Sequence, residues 1–239
     1  DNSLFWRADL GSVAAGAPIE ISANSDLEWS YQWDPHGGTD LVGALTVNLN
    51  GTTQVIELTT AQRSSLAAHS LGGFGFLGVA KPDDNESGWY ADLFIDDVTY
   101  TQQWNPGLAF EDFTDPSGWS SLGSGVNGND FGQSDTSHAG GVTGEAGGRF
   151  TRSGHTRYYA DTTLTGLDLS KPIEASGKLD HTSANRPDFG RPMLLGHFDV
   201  DNMVDQGIRL GITFTNAGST DNSLFWRADL GSVAAGTPI

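Results

Sequence analysis

Residues 45–58 read Leu-Thr-Val-Asn-Leu-Asn-Gly-Thr-Thr-Gln-Val-Ile-Glu-Leu, and this stretch decides the fold class. Apolar and polar residues alternate on both sides of Asn50-Gly51, which is the pattern of two half-buried strands. Asn-Gly is the strongest short hairpin signal, because both turn residues must adopt positive φ. The stretch therefore predicts an antiparallel β-hairpin.

The segment before this hairpin has the same period of two. Leu27, Trp29, Tyr31 and Trp33 alternate with polar residues, which predicts a strand with one aromatic face. Further strands are predicted, between turn-forming residues, at 4–10, 74–80, 89–101, 149–150, 158–164, 173–180, 193–200 and 208–216. One short helix is predicted at 60–69. Together these segments predict an all-β sandwich of two antiparallel sheets.

The beginning of the sequence recurs near its other end. Residues 1–19 and 221–239 differ only where Ala17 in the first copy is Thr237 in the second. Residue 221 restates residue 1, so the period is 220 residues. Solenoid repeats have periods of about 20–50 residues, whereas this period has the size of a domain. The duplication predicts a tandem array of domains.

A short polar stretch around Pro106-Gly107 marks the predicted boundary between modules. Residues 1–103 are predicted to be the C-terminal half of one jelly-roll module, 104–107 the linker, and 108–239 the N-terminal part of the next. So short a linker does not allow free swinging, so neighbouring modules should touch, with Trp104 and Pro106 as packing residues.

Two ways of completing a module stay open at this point. In the first, residues 1–103 pair with 108–220 of the same chain, and 221–239 extend into the next module. In the second, each module is completed by a neighbouring copy. Both are sterically possible where the first and last strands of a sandwich lie side by side.

Composition and motifs narrow the function classes. Lys and Arg number 12 against 30 Asp and Glu, and the formal net charge of −18 argues against nucleic-acid binding. This acidity fits a soluble surface or divalent-cation binding. No stretch has the apolar length of a membrane span, so no membrane insertion is expected. Nucleophile elbows, phosphate loops and the paired carboxylates of glycosidases are missing, so no enzymatic activity is expected.

Read from residue 108 to 220 and on into 1–103, the sequence resembles jelly-roll modules of the concanavalin A/laminin-G-like and carbohydrate-binding families. The resemblance is to modules of large secreted bacterial proteins of planctomycete type. It lies in Phe110-Glu-Asp112 with Gly118-Trp119, in the strand 92–101, in 29–38 with 43–47, and in Gly73-Phe-Gly-Phe76. It implies a jelly-roll fold and a location outside the cell or on its surface.

The resemblance also implies a structural calcium ion near the paired first and last strands. The matching residues are Glu111 and Asp112 in the first strand and Asp96 and Asp97 in the last. Calcium takes six to eight oxygen ligands, and these carboxylates can supply several. The alternative is that Asp96 and Asp97 face solvent or cap the strand.

Carbohydrate binding is the second implied site. Trp29, Tyr31 and Trp33 are the candidates for stacking sugar rings on an exposed platform. The alternative is that these side chains lie in the core, and an aromatic face opposite a polar face favours that alternative.

The function predicted from these observations is a structural repeat of a giant extracellular filament, stalk or adhesin. Its partners are other copies of the same module, assembled head to tail. The alternative is a lectin-like module that binds surface glycans and is repeated for avidity.

Overall fold

The computed structural model describes residues 4–10, 13–66, 69–80, 90–103, 107–185, 193–203 and 207–215. Most of these residues lie in strands and only seven lie in a helix, which confirms the predicted all-β class. The strands are β1 Leu4–Leu10, β2 Val13–Ile21, β3 Leu27–Asp34, β4 Ala44–Leu49, β5 Thr52–Glu57, β6 Ser70–Leu71, β7 Gly73–Gly78, β8 Tyr90–Gln103, β9 Gly107–Glu111, β10 Trp119–Leu122, β11 Asp130–Ser134, β12 Glu145–Thr151, β13 Arg157–Asp161, β14 Leu167–Asp168, β15 Ile173–Asn185, β16 Met193–Phe198 and β17 Arg209–Thr215.

The strands form two large antiparallel sheets. Sheet A has the order β10-β13-β7-β16-β17-β1-β2. Sheet B has the order β11-β12-β8-β15-β3-β4-β5, and β9 adds to it by pairing with β8. The two short strands β6 and β14 pair with each other. Buried apolar side chains from both sheets form one cluster, so the sheets enclose a shared core.

Local signals produced the elements that the sequence predicts most clearly. Asn50 and Gly51 join β4 to β5 with φ values of 47° and 81°, as the Asn-Gly turn requires. The helix α1, Thr60–Leu66, begins at the predicted residue and ends before the predicted end. Its start is fixed by a capping box, in which the Thr59 hydroxyl accepts from the Gln62 N–H and Gln62 Oε1 accepts from the Thr59 N–H.

Strands from the two halves of the chain interleave in both sheets. β7 lies between β13 and β16, and β8 lies between β12 and β15. On either side of 104–106, Gln103 at the end of β8 pairs with Gly107 at the start of β9. The described parts of 1–103 and 107–215 therefore complete each other within one chain, as in the first of the two closures above. Trp104, Pro106 and the second copy at 221–239 lie outside the described residues.

A row of glycines crosses the middle of sheet A. Gly196 of β16 pairs with Gly75 of β7 on one side and with Gly211 of β17 on the other. A Cβ atom on Gly196 would lie 2.1 Å from the Leu210 carbonyl oxygen and 2.9 Å from the Gly211 Cα. Both are backbone atoms and cannot move aside, so this close approach of strands requires glycine.

Gly196→Ala should lower the free energy of unfolding by about 3 kcal/mol, because the added methyl group must push β16 and β17 apart. The matched control is Gly132→Ala in β11, where an added Cβ meets no atom within 4 Å and the φ angle is permissive. Urea denaturation of both variants measures the difference. Equal midpoints for the two alanine variants would contradict the close packing of this row.

Candidate functional site

The aromatic face of β3 lies in the core. Trp29, Tyr31 and Trp33 are 2%, 2% and 0% exposed. The indole N–H of Trp29 donates to the Lys178 carbonyl at 3.1 Å, and that of Trp33 donates to the Leu169 carbonyl at 2.9 Å. These three side chains are therefore buried and do not form the predicted exposed platform for sugar rings. Burying a large aromatic face stabilises the fold more than leaving it exposed, and each indole N–H has a hydrogen-bond acceptor.

Tyr31 takes part in a buried bridge between the sheets. Its hydroxyl lies 2.5 Å from Nδ1 of His197 in sheet A, and His197 Nε2 lies 2.7 Å from the Thr101 carbonyl oxygen. A carbonyl only accepts, so Nε2 carries the proton and Nδ1 accepts from the Tyr31 hydroxyl. Burial raises the pKa of Tyr31 and lowers the pKa of His197 to about 4. Both groups are therefore neutral at neutral pH, and the bridge is structural.

The four predicted calcium ligands lie on neighbouring strands but on different faces. Ile95 and Val98 of β8 both lie in the core although they are three residues apart, because Asp97 adopts a φ of 49° and adds a bulge. Glu111 lies opposite Val98 and shares its face. The bulge leaves Asp96 on the outer face of sheet B. The spacing of these carboxylates in the sequence does not reveal that Asp96 and Glu111 lie on opposite faces of the sheet.

Asp96 and Asp97 belong to a group beneath the loop 135–144. Asp96 is 2% exposed, and an added Cβ on Gly140 would collide with its carboxylate. The Lys178 ammonium donates to Asp97 Oδ2 at 2.6 Å. Glu145 accepts from the Ala139 N–H at 2.8 Å and from the Thr136 hydroxyl. A lysine therefore supplies the positive charge beside Asp97.

Glu111 and Asp112 belong to a second group. Glu111 accepts from the Phe113 N–H at 3.0 Å, and Asp112 accepts from the N–H and hydroxyl of Thr114. Burial raises the pKa of Glu111, whereas the Thr114 hydrogen bonds lower the pKa of Asp112. Asp161 lies nearby and accepts from the Tyr100 hydroxyl at 2.8 Å.

The two groups do not form one four-carboxylate site. In the described part of the chain, no three or more His, Cys, Asp or Glu side chains are grouped as ligands for a metal ion. Several carboxylate oxygens already accept protein hydrogen bonds, and Lys178 neutralises Asp97. Calcium at Glu111, Asp112, Asp96 and Asp97 stays a prediction.

The outer face of sheet B carries a polar groove, called the outer groove below. It has a volume of about 430 Å³. It crosses β4, β3, β15, β8 and β9, and its lining side chains include Ser30, Gln32, Thr46, Asn48, Thr99, Leu108, Glu174 and Ser176. Next to it, Phe110 of β9 is 63% exposed and Leu108 is 53% exposed. The groove therefore combines hydroxyl, amide and carboxylate groups with an open apolar rim.

A second groove of about 530 Å³ lies over β11, β12 and the start of β8. Its floor contains Gly132, Gly147 and Gly148, so backbone is open to a ligand there. Asp92 and Arg149 form a two-pronged ion pair with both distances at 2.8 Å, and the Arg149 guanidinium lies 3.9 Å from the centre of the Tyr90 ring. The Asp92 carboxylate and the Tyr90 ring both hold the guanidinium, so this cation is fixed at the side of the groove and is already paired.

Sequence reasoning did not find the outer groove. Its signal was the polar half of the β3 pattern, since Ser30 and Gln32 alternate with the buried aromatic residues. The other lining residues come from strands far apart in the sequence, which only the sheet order brings together. Phe110 was noted only as part of a sequence motif.

No protein-family description, curated protein or solved structure was found to match this chain. Among the described residues there is no helix with the length and apolar character needed to cross a membrane.

The Asp96 carboxyl should make stability depend on pH. Burial raises its pKa to about 6 from 3.8, so its stabilising contribution is present below about pH 4 and is lost as the pH rises through 6. Asp96→Asn does not titrate and keeps the acceptor for the Asp97 N–H. Between pH 4 and pH 7.5 the free energy of unfolding of the variant should rise by about 2 kcal/mol relative to that of the wild type.

Urea denaturation at a series of pH values measures this gain. Parallel stability curves for the two proteins would contradict it. Repeating the series with millimolar calcium and with EDTA tests the metal, because a bound cation favours charged carboxylates. A wild-type protein that is more stable in calcium at pH 7.5 supports the predicted ion, and identical curves exclude it.

Proposed function

We propose that the chain is a structural module of a tandem array, which forms an extracellular filament, stalk or adhesin from jelly-roll domains. The observation that carries this proposal is the recurrence of residues 1–19 at 221–239 with one change. The fold adds support, because Phe5 near the start of the period pairs with Thr215 near its end. A period therefore starts and ends at the same place on the sandwich.

This placement keeps consecutive modules close together. Residues 216–224 join Thr215 to Phe225, the counterpart of Phe5, and these ten steps along the chain span at most about 36 Å. The longest strand, β8, has 14 residues, so the sandwich is about 46 Å long. The starts of neighbouring modules are thus closer than the length of one module. Neighbours in such an array must touch, which favours a stiff assembly.

Concatenated chains of one, two and four periods of residues 1–220 should form rods whose length rises linearly with the number of periods. Contacts between neighbours hold each module at one angle to the next. Negative-stain electron microscopy measures the lengths and the bead spacing. Beads at variable distances, with an end-to-end length that grows as the square root of the period number, would contradict the stiff array.

A lectin-like module is the second candidate, and the outer groove favours it. Sugars present hydroxyl groups and an apolar ring face. The side chains of Gln32, Asn48 and Glu174 offer hydrogen-bond partners for the hydroxyls. Phe110 at the rim offers an exposed aromatic surface for the ring. A ligand in the outer groove would contact the outward-facing side of β3.

Phe110→Ala should weaken glycan binding about tenfold, because loss of an aromatic contact costs about 1 to 1.5 kcal/mol. The matched control is Val126→Ala, since Val126 is also an exposed apolar residue but lies outside the outer groove. A glycan array followed by titration calorimetry with any glycan found measures both variants. An array without binding, or equal loss in both variants, would leave the structural module as the only candidate of the two.

A further inference from the structure

Arg157 is the first residue of β13, and its side chain lies on the core side of sheet A. Tyr159, two residues further along the strand, lies in the core, and side chains two residues apart share a face. On β7, Arg157 lies opposite Gly78, and Tyr159 lies opposite the core residue Phe76. The Arg157 guanidinium therefore lies between the two sheets, at one end of the sandwich.

This guanidinium is buried and has no counter-ion among the described residues. Arg157 is 1% exposed, and its Nε, Nη1 and Nη2 atoms are all buried without a hydrogen-bond acceptor in the described part of the chain. Burial lowers the pKa of Arg157 to about 10, and no described neighbouring charge opposes this shift. The group still carries a proton at neutral pH, so this end of the core contains a full positive charge.

Two glycines make room for the Arg157 side chain. An added Cβ on Gly78 would lie 2.7 Å from Arg157 Cζ, 2.9 Å from Nε and 3.0 Å from Nη1. Because the central carbon is the nearest of the three atoms, the face of the guanidinium lies against the Gly78 backbone. An added Cβ on Gly123 would lie 3.0 Å from the Arg157 Cβ. The backbone therefore covers one face of the group, whereas the N–H groups around its edge have no acceptor.

A charge in this position requires a compensating charge. The neighbouring core is apolar, since the ring of Phe76 lies 5.0 Å from the ring of Phe150 in sheet B. An unpaired charge in an apolar core strongly destabilises a fold, so buried charges in proteins are paired. The N–H groups of arginine form a planar fork, which matches two oxygens of a carboxylate or a phosphate.

We propose that Arg157 binds a small oxyanion from solution, a phosphate or a carboxylate, at this end of the sandwich. The anion accepts hydrogen bonds from two N–H groups of the guanidinium and neutralises its charge. His155, two residues earlier in the chain, is exposed, so solvent lies within a few residues of the site. The net charge of −18 repels anions in general, so binding depends on the guanidinium rather than on overall attraction. The site depends neither on the proposed array nor on the outer groove.

Thermal unfolding in different anions tests the site in the full chain. Sodium phosphate or sodium acetate replaces sodium chloride at constant ionic strength, and circular dichroism measures the melting temperature, Tm. A ligand that binds only the folded chain should raise the Tm of a chain of this size by about 4 °C at about ten times its dissociation constant. We expect a saturable rise in phosphate, acetate or both, and the active anion identifies the ligand class. A Tm that is the same in all three anions would overturn the proposal.

Arg157→Met removes the charge and keeps a side chain of similar length. This variant should lose the saturable rise. In chloride its Tm should equal or exceed that of the wild type, because an unpaired buried charge has been removed. The matched control is Arg149→Met, since the Arg149 guanidinium is already paired with Asp92. The control should keep the rise in Tm.

Two results with Arg157→Met would also overturn the site. An equal rise in the wild type and in this variant would reflect exclusion of the anions from the protein surface. A Tm of the variant in chloride below that of the wild type would show that protein groups already compensate the charge.

Nuclear magnetic resonance of the anion gives a readout that does not require Arg157→Met to fold. The line of the anion that raises Tm should broaden when the unmodified chain is added. Arg157→Lys keeps the charge but loses the planar fork, so it should reduce this broadening several-fold. An unchanged line with the unmodified chain, or equal broadening with Arg157→Lys, would contradict binding by the guanidinium.

Discussion

The buried bridge from Tyr31 through His197 to the Thr101 carbonyl is the interaction on which the sandwich depends. Tyr31 and Thr101 come from sheet B, and His197 comes from sheet A. Each polar atom lies out of reach of water, so losing one partner leaves the others unsatisfied at a cost of about 1–3 kcal/mol each. The bridge therefore fixes how the sheets face each other. It also joins the halves of the chain, because His197 belongs to the second half.

Strands with regular alternation could be predicted from the sequence, and those without it could not. β3, β4 and β5 were predictable because their core residues recur at every second position and Asn50-Gly51 marks the turn. The prediction at 149–150 covers only part of β12, because Gly147 and Gly148 of this strand have no side chains to show a period. These glycines form strands through pairing with β8 and β11, a tertiary cause that local sequence does not carry.

The same limit explains the candidate sites. The outer groove is built from β3, β4, β8, β9 and β15, and only the sheet order makes them neighbours. The predicted calcium ligands were on adjacent strands as expected, since Val98 pairs with Glu111. A single bulge at Asp97 then turned Asp96 to the opposite face. One inserted residue changes every face assignment after it, and spacing in the sequence cannot show where a bulge falls.

Because strands of the two halves interleave, the complete period is the unit of stability. Without residues 107–215, β7 and β8 would lose the strands that flank them on both sides. Neither half can bury its core alone, so any stable module needs one copy of each strand, wherever the chain is divided.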